Sequence, residues 1–510
     1  MPGHLPFRRS APPCANLGDF LALLEDRGAL RRIARPVSVV HEVTEIHKRV
    51  LADHGPALLF EAPVDAGGHR YDTPLLVNLF GTAERIAWGM GIEPGAFAAL
   101  GEFLADLRQP TAPRSLDEAL QRMSMVVAAL SMRANTVRHA PVHQRVSTGE
   151  DIDLARLPIQ WCWPGEPAPL ITWPLVITRA PDDPADINVG VYRMQVLGPR
   201  RLIVRWLDNR GGARHFRQWR QRGEDMPIAI AIGADPATIL SAVMPLPDGL
   251  SELAFSGILR GRRIALARGR TVDLPVPAQA EIVLEGKVSA NETALEGPYG
   301  DHTGYYNAAE PFPVVDLSAI TTRRAPIYLS TYTGRPPDEP SWLAEALSTL
   351  FVPLARRHLP EIRDIWMPPD ACSYRAMIVS IDKRYPGHAR RVMMGLWSML
   401  PQFSYCKFII VVDPDIDVRS GSDLVWALST RFEAPRDLVM IENTPMDYLD
   451  FSSVRPGLGT KLGLDATTKI GAETDRVWGS PLAMSAEIAA RVDAIWDELG
   501  LDDPKVARNG

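Results

Sequence analysis

The sequence predicts a multidomain fold of the α/β and β classes. It places α/β segments at both ends and a mostly antiparallel sheet, open or closed into a barrel, between them. Three observations predict this. Strand and helix patterns alternate near the N-terminus, a hairpin of period-two strands occupies 189–207, and a strand–helix–strand pattern returns at 408–441.

Leu17, Phe20, Leu21 and Leu24 recur at helical spacing behind Asn16, a residue type whose side chain caps a helix by accepting a backbone N–H. A short strand at 30–33 and a helix from about 40 to Gly55 follow. Residues 111–167 are rich in proline and short polar stretches, and read as a connection between units. Strands at 189–196 and 202–207 flank Leu197-Gly-Pro-Arg200, a turn sequence, and alternation places Val191, Arg193 and Gln195 on one face of the first strand. Further strands of the same sheet are expected at 282–288 and 327–332. In the last third, the apolar run 408–412 ends at Asp413, a helix follows near 423–430, and a strand follows at 438–441. Ile488, Val492, Ile495, Trp496 and Leu499 then form an apolar stripe behind Ser485. Such a stripe packs on its own domain or, alternatively, on another subunit.

A chain of 510 residues exceeds a single hydrophobic core, which predicts two or three domains. The net charge of −6 leaves no basic stripe to neutralise phosphates, which argues against a nucleic-acid binder. No apolar run approaches the length of a membrane span. Arg8 and Arg9 are not followed by an apolar segment, so a cytoplasmic location without a secretory signal is expected. Cys14, Cys162, Cys372 and Cys406 lie far apart, as reduced thiols rather than as a disulfide framework or zinc site.

Three clusters carry candidate chemistry: Asn188-Val-Gly-Val-Tyr-Arg-Met-Gln195, Arg205-Trp-Leu-Asp-Asn-Arg-Gly-Gly212 and Glu296-Gly-Pro-Tyr-Gly-Asp-His-Thr-Gly-Tyr-Tyr306. Each mixes charge with glycine near strands that should be partly buried, so the charges need partners. Each also admits a plainer reading, as a surface turn, a solvated arginine pair or an acidic loop. Glu296 and Asp301 bracket a glycine-rich turn that can bring two carboxyls to one pocket, where one keeps a proton and an arginine holds the other ionised. Asn188 and Glu252 offer oxygen donors of the kind that suits Mg or Mn. Two are too few for a closed cage, and by itself Glu252 reads as a surface or ion-paired residue.

Other signals fail. Asp413-Pro-Asp415-Ile-Asp417 begins like an EF-hand loop, but Val418 stands where glycine is required and Leu424 where the bidentate Glu belongs. Gly89-Met-Gly91 lacks a third glycine, and no Walker loop or GxSxG elbow occurs. His139 and His143 have HxxxH spacing, but Pro141 between them breaks the helix that such a zinc pair needs.

The first and third clusters, together with Tyr332-Thr-Gly-Arg-Pro-Pro-Asp-Glu-Pro, Glu442-Asn-Thr-Pro-Met-Asp-Tyr-Leu-Asp-Phe and Gly459-Thr-Lys-Leu-Gly-Leu-Asp-Ala-Thr, resemble the UbiD family of decarboxylases, over about 17–499. The resemblance implies an N-terminal α/β domain (1–125), a central split β-barrel like those of flavin reductases (126–331), a C-terminal α/β domain (332–484) and a closing helix and tail (485–510). It implies prenylated FMN supplied by a flavin prenyltransferase, with Mn2+ and K+, and a homo-oligomer, a hexamer in members of this kind. By motif, Asn188 and Glu252 match the metal ligands. Val191, Tyr192, Arg193, Arg205, Trp206, Leu207, Arg210 and Gly211 match the flavin-contacting stretches. Glu296 and Arg193 match the acid–base network and Asp301 its proton donor. Arg210 stands at or near the place where other members carry a metal-binding His, and Asp301 replaces a Glu. Both departures fit the ubiquinone-biosynthesis branch, and the first leaves the third metal contact open.

The reaction so implied is non-oxidative loss of CO2 from 3-polyprenyl-4-hydroxybenzoate, giving 2-polyprenylphenol. The electrons left on the ring carbon need a cofactor as sink. Arg193 would position the carboxylate, and Asp301, kept protonated by its setting, would return the proton. A smaller aromatic or phenolic acid is the alternative substrate, and a flavin-binding module without decarboxylase activity the alternative class. A polyprenyl substrate would also bring peripheral attachment to the inner face of the cell membrane.

Overall fold

The computed structural model of the protein describes residues 14–108, 130–207, 210–244, 246, 251–400, 403–480 and 482–500. These residues form two compact units: one runs up to Leu354 and takes in Met367–Tyr374, and the other comprises Ala355–Trp366 and residues from Arg375 on. The fold is multidomain α/β with a central antiparallel half-barrel.

The first unit opens with the helix Leu17–Asp26, whose Asn16 side chain accepts the Asp19 N–H at 3.0 Å and whose Leu17, Phe20, Leu21 and Leu24 are buried. The strand Leu30–Ile33 and the helix Glu42–Ala52 follow where the pattern put them. Leu30–Ile33, Ala57–Phe60 and Leu75–Val77 make a small mixed sheet, completed by Tyr328–Leu329 pairing parallel to Leu75–Val77. The strand expected at 327–332 therefore exists but belongs to this N-terminal sheet rather than to the central one. Two apolar residues beside Pro326 fit either sheet, and only the returning chain direction decides.

The central sheet has nine strands. The expected strand 189–196 is in fact two, Ile187–Val191 and Met194–Gly198, broken at Tyr192 and Arg193. The first pairs with Leu175–Arg179; the second pairs with Arg201–Val204 across the expected turn. Strict alternation thus does not run through the break, so Val191 does not share a strand face with Arg193 and Gln195.

That break shapes the sheet. The two pieces stand six strands apart along the sheet, in the order Ile187–Val191, Leu175–Arg179, Met226–Ile232, Ile282–Glu296, Glu310–Thr322, Arg201–Val204, Met194–Gly198, with Leu170–Ile171 beyond. Six steps of about 4.8 Å would span roughly 29 Å if flat. The two linking residues cover at most about 11 Å. The sheet must therefore curl until its edges nearly meet, and Tyr192 and Arg193 bridge the gap. Arg145–Thr148, inside the stretch read as a connection, adds a ninth strand alongside Glu310–Thr322; residues 111–129 of that stretch lie outside the described residues. The helix Gly211–Gln221 packs on the sheet through Gly212, Ala213 and His215, with Thr178 Oγ1 and His215 Nδ1 2.9 Å apart.

The second unit is a five-stranded sheet in the order Ile362–Trp366, Ala376–Ile381, Phe408–Val412, Leu458–Ala466, Leu438–Pro445. Phe408–Val412 and the helix Gly421–Arg431 form the first two parts of the expected βαβ unit, but the parallel partner is Leu458–Ala466. Leu438–Pro445 pairs antiparallel to it at the edge. The Asp413–Asp417 turn is a strand-end turn, with Asp413 and Asp415 both bound by Arg431. The closing helix Ala486–Asp493 is capped by Ser485, whose side chain accepts the Ile488 N–H. The residues of its stripe, Ile488, Val492, Ile495, Trp496 and Leu499, are exposed in part. No helix among the described residues is long and apolar enough to cross a membrane. All four cysteines are free thiols.

Candidate active site

The long strand Ile282–Glu296 ends at the gap in the half-barrel, where Glu296 pairs with Glu310 across the sheet. The chain then turns sharply through Gly297, whose φ of 90° lies in the left-handed region that side chains disfavour and whose N–H donates to Gln195 Oε1 at 2.9 Å. This contact ties the Glu296–Asp301 turn to the strand that begins beside Arg193.

Arg193 is the centre of the arrangement. Its Nε and Nη2 donate to the two oxygens of Glu296 at 2.8 and 3.2 Å, and its Nη1 donates to Asp301 Oδ2 at 2.6 Å. Nη2 also donates to Asn307 Oδ1 at 2.9 Å. Arg205, whose backbone N–H bonds the Arg193 carbonyl, places Nη1 3.0 Å from Glu296 Oε2. Glu296 is wholly buried, so two guanidiniums compensate a carboxylate that water cannot reach. The three residues expected to act together do meet, joined by Asn307, which sequence reasoning missed, and by Arg205 in a role not expected of it. Asn307 directly follows the Tyr305-Tyr306 pair of the motif. Arg205 was expected only beside the cofactor.

Asp301 departs from expectation in its protonation. Burial pushes its carboxyl up, but the Arg193 guanidinium and the His302 donors outweigh burial and hold it far below the usual carboxylate range. His302 contributes its backbone N–H at 2.9 Å and its Nδ1 at 2.8 Å, both to Oδ1. In this geometry Asp301 is a paired carboxylate, not a standing acid. The sequence anticipated an arginine holding one of the two carboxyls ionised; the structure places Arg193 between them, bound to both.

The second group gathers at the start of the helix Gly211–Gln221. Arg210 is its N-cap residue and makes no side-chain cap, so the first N–H groups are not closed off by a side chain of that residue. The Tyr192 hydroxyl lies 3.4 Å from Asn188 Nδ2 and from the Gly212 N–H, and the Tyr192 and Trp206 rings meet edge-on at 6.2 Å. A Cβ on Gly211 would fall 2.0 Å from Asn188 Oδ1, and one on Gly212 2.6 Å from Trp206 Nε1. That indole N–H is buried without a hydrogen-bond partner. A glycine-lined helix start with an unused donor fits a phosphate group. Val191, Leu207 and Arg210 belong to the same neighbourhood: Val191 precedes Tyr192, and the Arg210 N–H bonds the Leu207 carbonyl.

Glu252, the first residue of the helix Glu252–Arg260, approaches the same place, with Oε2 3.4 Å from the Val189 N–H. Burial pushes its carboxyl up, and Asp186 adds to this. A carboxylate held against the backbone next to Asn188, with no ion pair among the described residues, suits a metal ligand. Among the described residues no group of three or more His, Cys, Asp or Glu could hold a metal by itself. Phosphate and solvent oxygens would have to complete the shell.

A cavity of about 430 Å3 opens on Asp301, with Trp163, Gly300, Tyr306 and Gly334 in its wall and Lys48 and Arg335 also lining it. That volume lies in the range of small-molecule sites.

Family models described as the N-terminal, Rift-related and C-terminal domains of 3-octaprenyl-4-hydroxybenzoate carboxy-lyase (UbiD) match residues 21–104, 135–336 and 341–466. The UbiD-class enzyme HmfF from Pelotomaculum thermopropionicum, solved in complex with FMN, is 30% identical with a TM-score of 0.76, over 91% of this chain and 97% of its own. An evolved dimeric form of HmfF, in complex with prFMN, is 28% identical with a TM-score of 0.74 over the same shares. Vanillic acid decarboxylase of Sedimentibacter hydroxybenzoicus in its closed form is 26% identical with a TM-score of 0.79, over 96% of this chain and all of that one. With three consecutive domain matches and full-length structural likeness, the chain belongs to the UbiD family of carboxy-lyases.

Proposed function

We propose that this chain decarboxylates an aromatic acid with prenylated FMN and Mn2+, and that its substrate is 3-polyprenyl-4-hydroxybenzoate. The observation that carries the reading is Arg193, clamped between Glu296 and Asp301 beside a helix start suited to phosphate. A flavin-binding module without catalysis has no use for that buried ion network.

When bound, prenylated FMN supplies the electron sink that an aromatic ring carbon lacks as CO2 departs. Val191, Tyr192, Trp206 and Leu207 would hold its ring system, and Arg210 and Gly211 its phosphate. Asn188 and Glu252 would hold Mn2+ near that phosphate, with K+ nearby. Arg193 would hold the substrate carboxylate and Glu296 would keep that guanidinium in place. Once Arg193 engages the substrate, Asp301 loses its closest countercharge while staying buried. Burial, the largest influence on it, then acts unopposed by Arg193 and favours the protonated form. Asp301 thereby becomes the acid that returns a proton to the ring carbon.

The cofactor reading is tested by the mass of the group released from protein co-expressed with a flavin prenyltransferase. The mass of prenylated FMN is expected; ordinary FMN or no flavin would point to the module reading. Gly211→Val should lower flavin occupancy at least tenfold, read as flavin absorbance per protein, because the new side chain displaces Asn188. Unchanged occupancy would remove the helix start from the cofactor site.

A specific observation favours a second substrate. A cavity of about 430 Å3 takes a phenolic acid whole but not a long prenyl tail. Side-by-side assays of vanillate, 4-hydroxybenzoate and its 3-prenyl derivatives decide: turnover confined to the unprenylated acids assigns the smaller substrate. The exposed stripe on the closing helix supports self-association, which light scattering reads directly as a dimer, hexamer or monomer.

A further inference from the structure

Glu166 lies in a proline-rich loop, Trp161-Cys-Trp-Pro-Gly-Glu-Pro167, which the sequence marked only as a connection. Its side chain is buried and takes three backbone donors. Oε2 accepts the N–H groups of Cys162 at 2.9 Å and Trp163 at 3.1 Å, and Oε1 accepts the N–H of Gly300 at 3.3 Å. Gly300 directly precedes Asp301. The loop grips the same turn twice more. Trp163 Nε1 donates to the Thr333 carbonyl at 2.9 Å while the Thr333 hydroxyl donates to the Gly300 carbonyl at 3.2 Å. The Trp163 ring also fills the space that Cβ atoms on Gly300 and Gly334 would need, at 2.3 and 2.7 Å. Beyond the turn, the Gly165 N–H donates to the Tyr306 hydroxyl at 3.0 Å.

We infer that Glu166 is a positioning residue for Asp301: its ionised carboxylate clamps the Gly300 amide and so sets where the Asp301 carboxyl stands in the cavity. The inference rests on the decarboxylase reading for its catalytic consequence, but not for the clamp itself.

Chemistry makes the clamp sensitive to protons. A proton on the carboxyl removes the charge that draws the Gly300 N–H and leaves Oε1 a poorer acceptor, so that amide is loosened. Burial pushes the carboxyl up to about 7, against the lowering effect of the Trp163, Gly300 and Cys162 N–H groups and of Arg193. Arg193 is the charged group acting on it. The Cys162 thiol and the Tyr299 phenol beside it are pushed up by burial and stay neutral, and Tyr306 and His302 border the same turn. The clamp is therefore closed above about pH 7 and released as pH falls through that value.

Glu166→Gln tests this: with its single oxygen held by the two N–H groups of Cys162 and Trp163, its NH2 meets the Gly300 N–H donor to donor. In the cofactor-loaded enzyme, kcat is expected to fall on the order of 10²-fold, the scale of a misplaced reacting group. The acid limb of the wild-type pH profile near 7 should vanish, and Glu166→Asp, which keeps the carboxylate, should restore the limb and part of the rate. Hydrogen exchange of the peptide containing Gly300, corrected for intrinsic rates, gives a readout independent of turnover. Protection should be lost in Glu166→Gln at pH 8 and in the wild type below pH 6. Unchanged Gly300 protection, or a Glu166→Gln profile that keeps its acid limb, overturns the inference. If the loaded wild type releases no CO2 from any aromatic acid, the decarboxylase reading fails, and the exchange experiment still decides the clamp.

Discussion

Asp301→Asn is expected to cut decarboxylation by about 10²- to 10⁴-fold, the range that a positioned general acid supplies, while leaving cofactor content unchanged. The substitution is close to isosteric, so the cavity keeps its shape. Wild-type Oδ2 accepts from Arg193 and Oδ1 accepts from His302. An asparagine can offer its single oxygen to one of them only. It satisfies Arg193 or His302 and turns its NH2 toward the other, which costs about 1–3 kcal/mol in stability. Arg193 keeps its two bonds to Glu296, so the guanidinium stays in place. What disappears is the ability to take up and release a proton beside the substrate carbon. The measurement is CO2 release with flavin mass determined on the same sample. Wild-type turnover in the variant would reject Asp301 as the acid, and loss of flavin would move its role to cofactor binding.

Arg193→Met should do more, because it removes the group that two carboxylates share. Turnover is expected to fall roughly 10³-fold or further, as when a preorganised charge contact is deleted. Glu296 retains Arg205, but Asp301 retains only the His302 donors. Leaving a buried charge without its partner costs on the order of 3–5 kcal/mol, so the melting temperature should drop clearly. The pH dependence has a definite sign. In the wild type the Asp301 pKa is depressed, so its pairing contributes stability above the ordinary Asp range and loses it as pH falls through the lowered value. In Arg193→Met burial acts without that opposition and raises the pKa, so the variant is penalised most near neutrality. The gap in stability between the two proteins should narrow as pH drops below about 4. A gap that is constant with pH would mean that Arg193 acts through packing rather than charge.

Much of the local structure was legible in the residues. The cap at Asn16 and the spacing of Leu17, Phe20, Leu21 and Leu24 are short-range signals, and the helix formed as they indicate. The Gly198-Pro199 turn is likewise a matter of a few neighbouring backbone angles. Strand partners were less legible. Leu438–Pro445 looks like the second strand of a βαβ unit, yet the parallel place beside Phe408–Val412 goes to Leu458–Ala466. Nothing in a strand's own pattern says which other strand it joins. The break at Tyr192 and Arg193 was also hidden, since an arginine and a tyrosine fit an alternating strand until curvature separates its two ends.

By itself, then, the sequence determined the family, the order of α/β and β segments and the list of residue types at the site, because motifs and periodicity are local. The tertiary structure alone decided what those residues are to one another. Arg193 meets Glu296 and Asp301 across 103 and 108 residues of chain. That meeting sets Asp301 as a paired carboxylate where the sequence implied a standing acid. It is also burial that turns Glu166 from one more acidic loop residue into a clamp on the Gly300 amide. Ionisation and hydrogen bonding depend on which groups are near and how little water remains, and both follow from the curl of the sheet.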